Sequence, residues 1–418
     1  MKILFLTIAR IQGISERGIY TDLIRKFRDE GHKVYIACPA ERRYQEKTAL
    51  KVLDGVTVLS IHTLNAQKTS LIEKGICTML IDGQFKRAIK KHYDGVRFDL
   101  VLYSTPPITF TNTIKYVKQK NKAITYLLLK DIFPQNAVDL GMISKWGLIH
   151  SYFRKKEKIL YSISDFIGCL SPANVTYLLK HNPEIDVKKV EVNPNTIYPL
   201  QLNSSIKINK KQIIHNKYKI PENSVVFIYG GNLGKPQGID FVIKVLLSNI
   251  NNSEVFFLII GSGTEYQRLL NWYNKFLPQN TKIISALPKD EYDELLLACD
   301  VGLVFLDDRF TIPNFPSRLL SYLENKMPIL AATDINTDFG RIIVDAECGF
   351  WVKSGDILEY NNKIQYFINN LPSIQKMGNR GFDFLNNNYT VDISYKKIID
   401  KIYLVNNFIN KKPILNDK

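Results

Sequence analysis

A chain of 418 residues is too long for one ordinary hydrophobic core and suits two α/β domains of roughly 200 residues each. With 45% hydrophobic and 23% charged residues it is neither disordered nor collagenous, and no apolar run approaches the roughly 20 residues of a spanning helix. Lys and Arg outnumber Asp and Glu by 56 to 40, a net +16, and the excess is concentrated in residues 1–200, which hold 31 against 18. A field of that sign suits nucleic acid or anionic headgroups; it also suits a Lys-rich chain that is simply well hydrated.

The chain opens on Met1-Lys2-Ile3-Leu4-Phe5-Leu6-Thr7, which enters a strand pattern at once and lacks a small-residue cleavage site, so a cytoplasmic protein without a signal peptide is expected. Strands are predicted at Lys2 to Ile8, Lys33 to Ala37, Val56 to Ile61, Asp99 to Ser104, Ala123 to Leu129, Phe166 to Leu170 and Val190 to Val192. Between the first two, Arg17 to Glu30 places Ile19, Leu23, Ile24 and Phe27 on one helical face and ends at Gly31. Residues 144–161 also fit a helix, with Leu148, Ile149, Tyr152 and Phe153 on one side, Arg154, Lys155 and Lys158 toward the flanks and Trp146 near the start. That composition fits a helix lying in a membrane surface and equally a core-facing one.

The polar stretch 194–222, broken by Pro194, Pro199 and Pro221, predicts a boundary, with the first domain over 1–197 and a linker over 198–222. A second alternating set follows over 223–385. Its strands are Val225 to Tyr229, Val255 to Ile260, Lys282 to Ser285, Val301 to Phe305, Ile329 to Ala332 and Gly349 to Val352, and its helices Ile239 to Leu247, Glu265 to Phe276, Asp290 to Ala298 and Ser317 to Glu324. A helical segment over 386–418 should pack back on the body. Alternating strands and helices mean parallel, doubly wound sheets, in which ligands sit beyond the carboxyl ends of strands; two such sheets facing each other would share a cleft. Five scattered cysteines, none at CxxC spacing, offer neither a disulfide framework nor a zinc site, and the six histidines show no ligand spacing.

Four segments carry chemistry. Tyr229-Gly230-Gly231-Asn232-Leu233-Gly234-Lys235-Pro236-Gln237-Gly238 joins a strand to a helix, where glycines admit an anion to backbone amides; Ile260-Gly261-Ser262-Gly263-Thr264 does the same. Either segment alone is equally an ordinary βα turn. Pro313-Asn314-Phe315-Pro316-Ser317-Arg318 predicts Ser317 as an N-cap and sets Arg318 at a helix start, where a cation is unfavourable unless an anion lies beside it; the alternative is an Arg bent into solvent. Asp131, in Leu129-Lys130-Asp131-Ile132-Phe133-Pro134, falls where a buried strand ends, placed either to orient an acceptor hydroxyl or to serve as a loop or capping carboxylate. Asp307-Asp308 lacks a third ligand and reads as a solvated loop rather than a metal site.

Taken together these residues resemble the retaining glycosyltransferases of family 4, of the two-domain α/β architecture called GT-B, and within it the subgroup around the N-acetylfucosamine transferases of O-antigen and capsule synthesis. Four stretches carry the likeness: Asp99 to Pro107; Lys130 to Pro134 with Ala137 to Gly141; Gly231 to Lys235 with Gln237-Gly238; and Pro316-Ser317-Arg318 through Pro328. Their order and spacing are jointly specific, and individually only the second and fourth are. The resemblance implies two Rossmann-like domains across a cleft, a nucleotide-diphosphate sugar (a UDP-sugar favoured) held by the C-terminal domain, and an acceptor held by the N-terminal one. Asn232 and Gln237 fall where many members have a phosphate-binding Arg and Lys, and Pro313 and Ser321 where they have two glutamates, which leaves Lys235 and Arg318 for the phosphates.

The implied chemistry is retention of configuration without a covalent intermediate and without a metal or other cofactor. The catalytic candidates are therefore Asp131, Lys235 and Arg318, and the donor-binding candidates Gly230, Gly231, Asn232, Gln237, Gly261, Gly263, Leu287, Pro316, Ser317 and Ser321. Expected partners are the nucleotide sugar, a polyprenyl-diphosphate-linked saccharide and an anionic membrane surface on the cytoplasmic side, with no nucleic acid. Two other readings remain: a nucleotide-sugar epimerase of the same architecture, which needs a better acid/base pair than Asp131 alone, and a basic nucleic-acid-binding module, which needs interleaved aromatics or a reading helix.

Overall fold

The computed structural model describes residues 1–66, 69–200 and 204–410. The chain divides into two compact units, Met1–Tyr198 with Thr390–Lys418, and Pro199–Tyr389. In the first, strands β1 (Lys2–Leu6), β2 (Lys33–Glu41), β3 (Ala49–Leu53), β4 (Val56–Thr63), β5 (Leu100–Ser104), β6 (Ile124–Leu129), β7 (Phe166–Cys169) and β8 (Val190–Val192) form one sheet in the order β3-β4-β2-β1-β5-β6-β7-β8. All neighbours are parallel except β3, which runs antiparallel to β4. The helices are α1 (Ile19–Asp29), α2 (Leu71–His92), α3 (Thr111–Asn121), α4 (Gln135–Asp139), α5 (Leu148–Ile163) and α6 (Pro172–His181).

The second unit holds β9 (Val225–Asn232), β10 (Val255–Ser262), β11 (Thr281–Ile284), β12 (Val301–Phe305), β13 (Ile329–Thr333) and β14 (Gly349–Lys353), all parallel, in the order β11-β10-β9-β12-β13-β14. Its helices are α7 (Ser204–Tyr218), α8 (Ile239–Ser248), α9 (Tyr266–Phe276), α10 (Lys289–Leu296), α11 (Leu319–Glu324), α12 (Phe339–Asp345), α13 (Ile357–Asn369) and α14 (Leu371–Asn388). The strand order reverses between β1 and β5 in one sheet and between β9 and β12 in the other, which opens a crevice at the carboxyl ends of those strands. The central strands are apolar throughout because helices cover both faces; Phe227, Ile228, Phe257, Leu258, Val301 and Leu303 are all buried.

Tertiary packing decides how two segments are held. Part of the polar 198–222 stretch is helix α7, which the buried Ile214 and His215 hold down, the His215 ring N–H donating to the Ala298 carbonyl at 3.2 Å, and Lys211 pairs with Asp300 at 2.9 Å. The last helix, α15 (Val391–Asn410), seats on α1 of the first unit: Tyr395 meets Phe27 edge-on at 5.1 Å and Asp392 pairs with Lys26 at 2.6 Å. Helix α5 is two-natured. Glu157, Leu160 and Tyr161 are buried and Phe153 packs on Phe133 at 4.9 Å, whereas Leu148 is 90% exposed and Trp146, just before the helix, 88%. No helix among the described residues is long and apolar enough to cross a membrane.

Candidate active site

At the carboxyl edge of the second sheet β9 and β10 run side by side to their ends, Gly231 opposite Gly261 and Asn232 opposite Ser262. The contact is too close for side chains. A Cβ on Gly261 would lie 1.8 Å from the Gly231 carbonyl oxygen, and one on Gly263 2.3 Å from that of Leu233, so these two glycines serve the approach of the loops. The loop after β9 is then pinned from four sides. Leu233 N–H donates to the Ser262 carbonyl (2.9 Å), Glu265 N–H to the Leu233 carbonyl (2.9 Å) and the Tyr229 hydroxyl to the Asn232 carbonyl (2.6 Å). The buried Gln237 accepts at its amide oxygen from Gly234 N–H (3.0 Å) and from the Asn232 side chain (3.1 Å), so it braces the loop. Lys235, in the short 3-10 turn that follows, is exposed; its carbonyl accepts from Gly238 N–H at 3.1 Å, and its side chain has no hydrogen bond or ion pair among the described residues.

Arg318 reaches the same corner from the other side of the crevice. Helix α11 begins at Leu319, so Arg318 occupies the cap position and Ser317 stands exposed in the preceding turn, one residue earlier than the sequence pattern predicts; the Ser317 carbonyl accepts from Leu320 N–H at 3.2 Å. Pro316 and Ser321 are half-buried around it. The guanidinium lies 4.1 Å above the Tyr229 ring, and a Cβ on Gly231, whose φ is +134°, would come within 3.4 Å of it. One of its terminal nitrogens is buried without a hydrogen-bond partner, and no carboxylate among the described residues pairs with it. Guanidinium stays charged in proteins, and a buried cation without a counter-ion is unfavourable until an anion arrives.

Tyrosines complete this corner. Tyr322, one turn beyond Arg318, accepts from Gly230 N–H at 3.3 Å and lies 3.2 Å from the carbonyls of Ile228 and Leu303, where β9 and β12 part. Tyr292 of α10 fills the space above Gly230, where a Cβ would lie 2.1 Å from the phenol oxygen. Burial pushes the Tyr322 phenol up to about 12, against the pull of the Arg318 charge. Leu287 is half-buried in the loop from β11 to α10.

In the first unit, β6 delivers Lys130 and Asp131 to the carboxyl edge. The buried Thr105, just beyond β5, accepts at its hydroxyl from Lys130 N–H (3.0 Å) and Asp131 N–H (3.2 Å), which fixes the corner. Asn136 of α4 donates to both Asp131 carboxylate oxygens at 2.9 Å. Burial raises Asp131 to about 6, although the Ile132 amide, Asn136 and the Lys74 charge favour the ionised form. Burial likewise lowers the neighbouring Lys130 ammonium to about 7. Lys130 is the residue that pattern reading passed over; a charge at the end of an otherwise apolar strand was the available signal. No group of three or more His, Cys, Asp or Glu that could hold a metal occurs among the described residues, and Asp307 is engaged by Arg309 at 2.7 and 2.8 Å.

Residues 210–384 match the family described as Glycosyl transferases group 1. That match lies in the second unit, and together with the relatives below it supports a glycosyltransferase. A probable glycosyltransferase of Pseudomonas aeruginosa, WbjE, is 23% identical over 291 residues, 68% of this chain and 69% of the relative. Among solved structures, sucrose-phosphate synthase from Thermosynechococcus elongatus has a TM-score of 0.73 at 11% identity, covering 97% of this chain and 98% of that one. Anabaena HepE, solved with UDP and glucose, reaches 0.69 at 15% identity, covering 96% and 99%. WaaG, a glycosyltransferase involved in lipopolysaccharide biosynthesis, reaches 0.64 at 13% identity with the same coverage. The fold of the glycosyltransferase is GT-B, two Rossmann-like α/β units.

Within the second unit of the glycosyltransferase, Gly230, Gly231, Asn232, Gln237, Gly261, Gly263 and Arg318 converge on the β9 crevice. Asp131 belongs to the first unit. Chemically, the second corner offers a permanent cation over a glycine turn, and the first a carboxyl group that burial raises to about 6.

Proposed function

We propose that this glycosyltransferase moves an N-acetylated amino or deoxyamino sugar, with retention, from a nucleotide-diphosphate donor to a lipid-linked saccharide in bacterial surface polysaccharide synthesis. The observation that carries the donor side is the half-buried Arg318, one guanidinium nitrogen of which is buried and unpartnered beside a glycine turn. In this reading Arg318 and the free Lys235 stabilise the departing diphosphate, and Asp131 orients the acceptor hydroxyl. The donor's own phosphate accepts the hydroxyl proton, with no metal required. HepE binding UDP-glucose supports a UDP-sugar, and the likeness to WaaG supports a surface saccharide as acceptor. A lipid-linked acceptor stays at a membrane; the exposed Trp146, Leu148 and Ile149 beside Lys145, together with the basic N-terminal half, support docking on an anionic surface.

Calorimetric titration with UDP, GDP, ADP, CDP and dTDP tests the donor reading. Arg318→Ala is expected to weaken the tightest of these by about 1.5–3 kcal/mol, the loss of one charge-assisted contact. Unchanged affinity for all five removes Arg318 from the phosphate site.

A further inference from the structure

Arg318 does not hold its own position. It precedes a six-residue helix, and no carboxylate among the described residues fixes its side chain. What lies under it is the Tyr229 ring at 4.1 Å, and the hydroxyl of that same ring donates to the Asn232 carbonyl at 2.6 Å, in the turn where Gly231 takes a φ of +134°. Tyr229 is the last residue before the glycines and is itself buried, packed against Phe305 with centroids 6.1 Å apart. One rigid side chain therefore touches both the cation and the glycine turn that pattern reading assigned separately to an anion.

We propose that Tyr229 is a positioning residue that couples Arg318 to the Gly230–Gly234 turn, so that the donor's diphosphate meets a preset cation and a preset backbone together. The proposal rests on the reading of Arg318 as a phosphate ligand. Cation–π contact sets the height of the guanidinium over the ring, and the hydroxyl sets the turn; neither is a contact of Tyr229 with the donor itself. A tyrosine that merely filled the core would affect diphosphate binding only through stability, independently of Arg318.

The test is a double-mutant cycle on Arg318→Ala with Tyr229→Leu and Tyr229→Phe, read by calorimetry with whichever of UDP, GDP, ADP, CDP or dTDP binds the unmodified protein most tightly. Arg318→Ala is expected to weaken binding at least about tenfold, and Tyr229→Leu by a similar factor. Adding Tyr229→Leu to Arg318→Ala should cost no more than about a further twofold. Tyr229→Phe keeps the ring and should recover most of the Leu loss, with a residual weakening that also shrinks in the Arg318→Ala background. If Arg318→Ala binds normally, the phosphate reading falls. If Arg318→Ala weakens binding but the Tyr229 losses are absent or simply add to it, the coupling alone falls. Should the Leu variant not fold, the Phe arm of the cycle decides in the same way.

Discussion

Burial acts on Asp131 in a direction that solution measurements can read. Its carboxyl titrates at about 6 rather than the 3.8 of a free aspartate, because desolvation outweighs the bonds from Asn136 and the Ile132 amide. Between those two values the unfolded chain has released its proton and the folded chain has not, so the contribution of Asp131 to stability falls as pH rises through that window and stays unfavourable above it. If the ionised carboxylate orients the acceptor, turnover falls as pH drops through about 6. Asp131→Asn should lower kcat by about a hundredfold or more, abolish that acidic limb and leave nucleoside diphosphate affinity unchanged. Its thermal midpoint at pH 7.5 should be no lower than that of the unmodified protein, since the ionisation penalty is gone. A variant that keeps the acidic limb, or loses donor affinity in step with kcat, takes Asp131 out of the acceptor site. The sequence placed this residue at a strand end, but its pKa depends on Thr105 and Asn136 closing the corner, and strand periodicity carries no trace of that.

At the scale of elements, strand and helix placement was legible where the pattern is local. Among the described residues, thirteen of the fourteen strands fall on runs that read as strands, because a parallel strand covered on both faces must be apolar along its length. The exception, β3, is exposed from Leu50 through Val52 and gains its pairing from β4. Its turn, Asp54-Gly55 with both residues at positive φ, was the hairpin signal at hand. Helix α7 shows the opposite limit: its sequence is polar and weakly periodic, and contacts from Asp300 and Ala298 hold it. The paired ends of β9 and β10 also yield a prediction. Gly261→Ala forces a Cβ into the Gly231 carbonyl and should destabilise the protein by about 2 kcal/mol or more in denaturant titrations. A loss below about 0.5 kcal/mol would mean that the two loops do not pack as described.

For the whole molecule the net charge of +16 and its concentration in residues 1–200 predict salt-sensitive association with anionic membranes. Flotation with liposomes containing phosphatidylglycerol should carry the protein upward at low salt, less at high salt, and little with neutral lipid. Trp146→Ser with Leu148→Ser should reduce the salt-resistant part, since burying each apolar side chain contributes roughly 1.5–3 kcal/mol. Protein that stays at the bottom of every gradient contradicts membrane docking. The sequence by itself determined two α/β units, their parallel sheets and the glycine turns at the strand ends, because hydrophobic period and turn chemistry are written in neighbouring residues. Tertiary structure alone decided that Gln237 braces its loop, that α15 returns to the first unit, and that Arg318 lies unpaired over Tyr229. Burial and the company a charge keeps depend on residues distant along the chain, which no local pattern encodes.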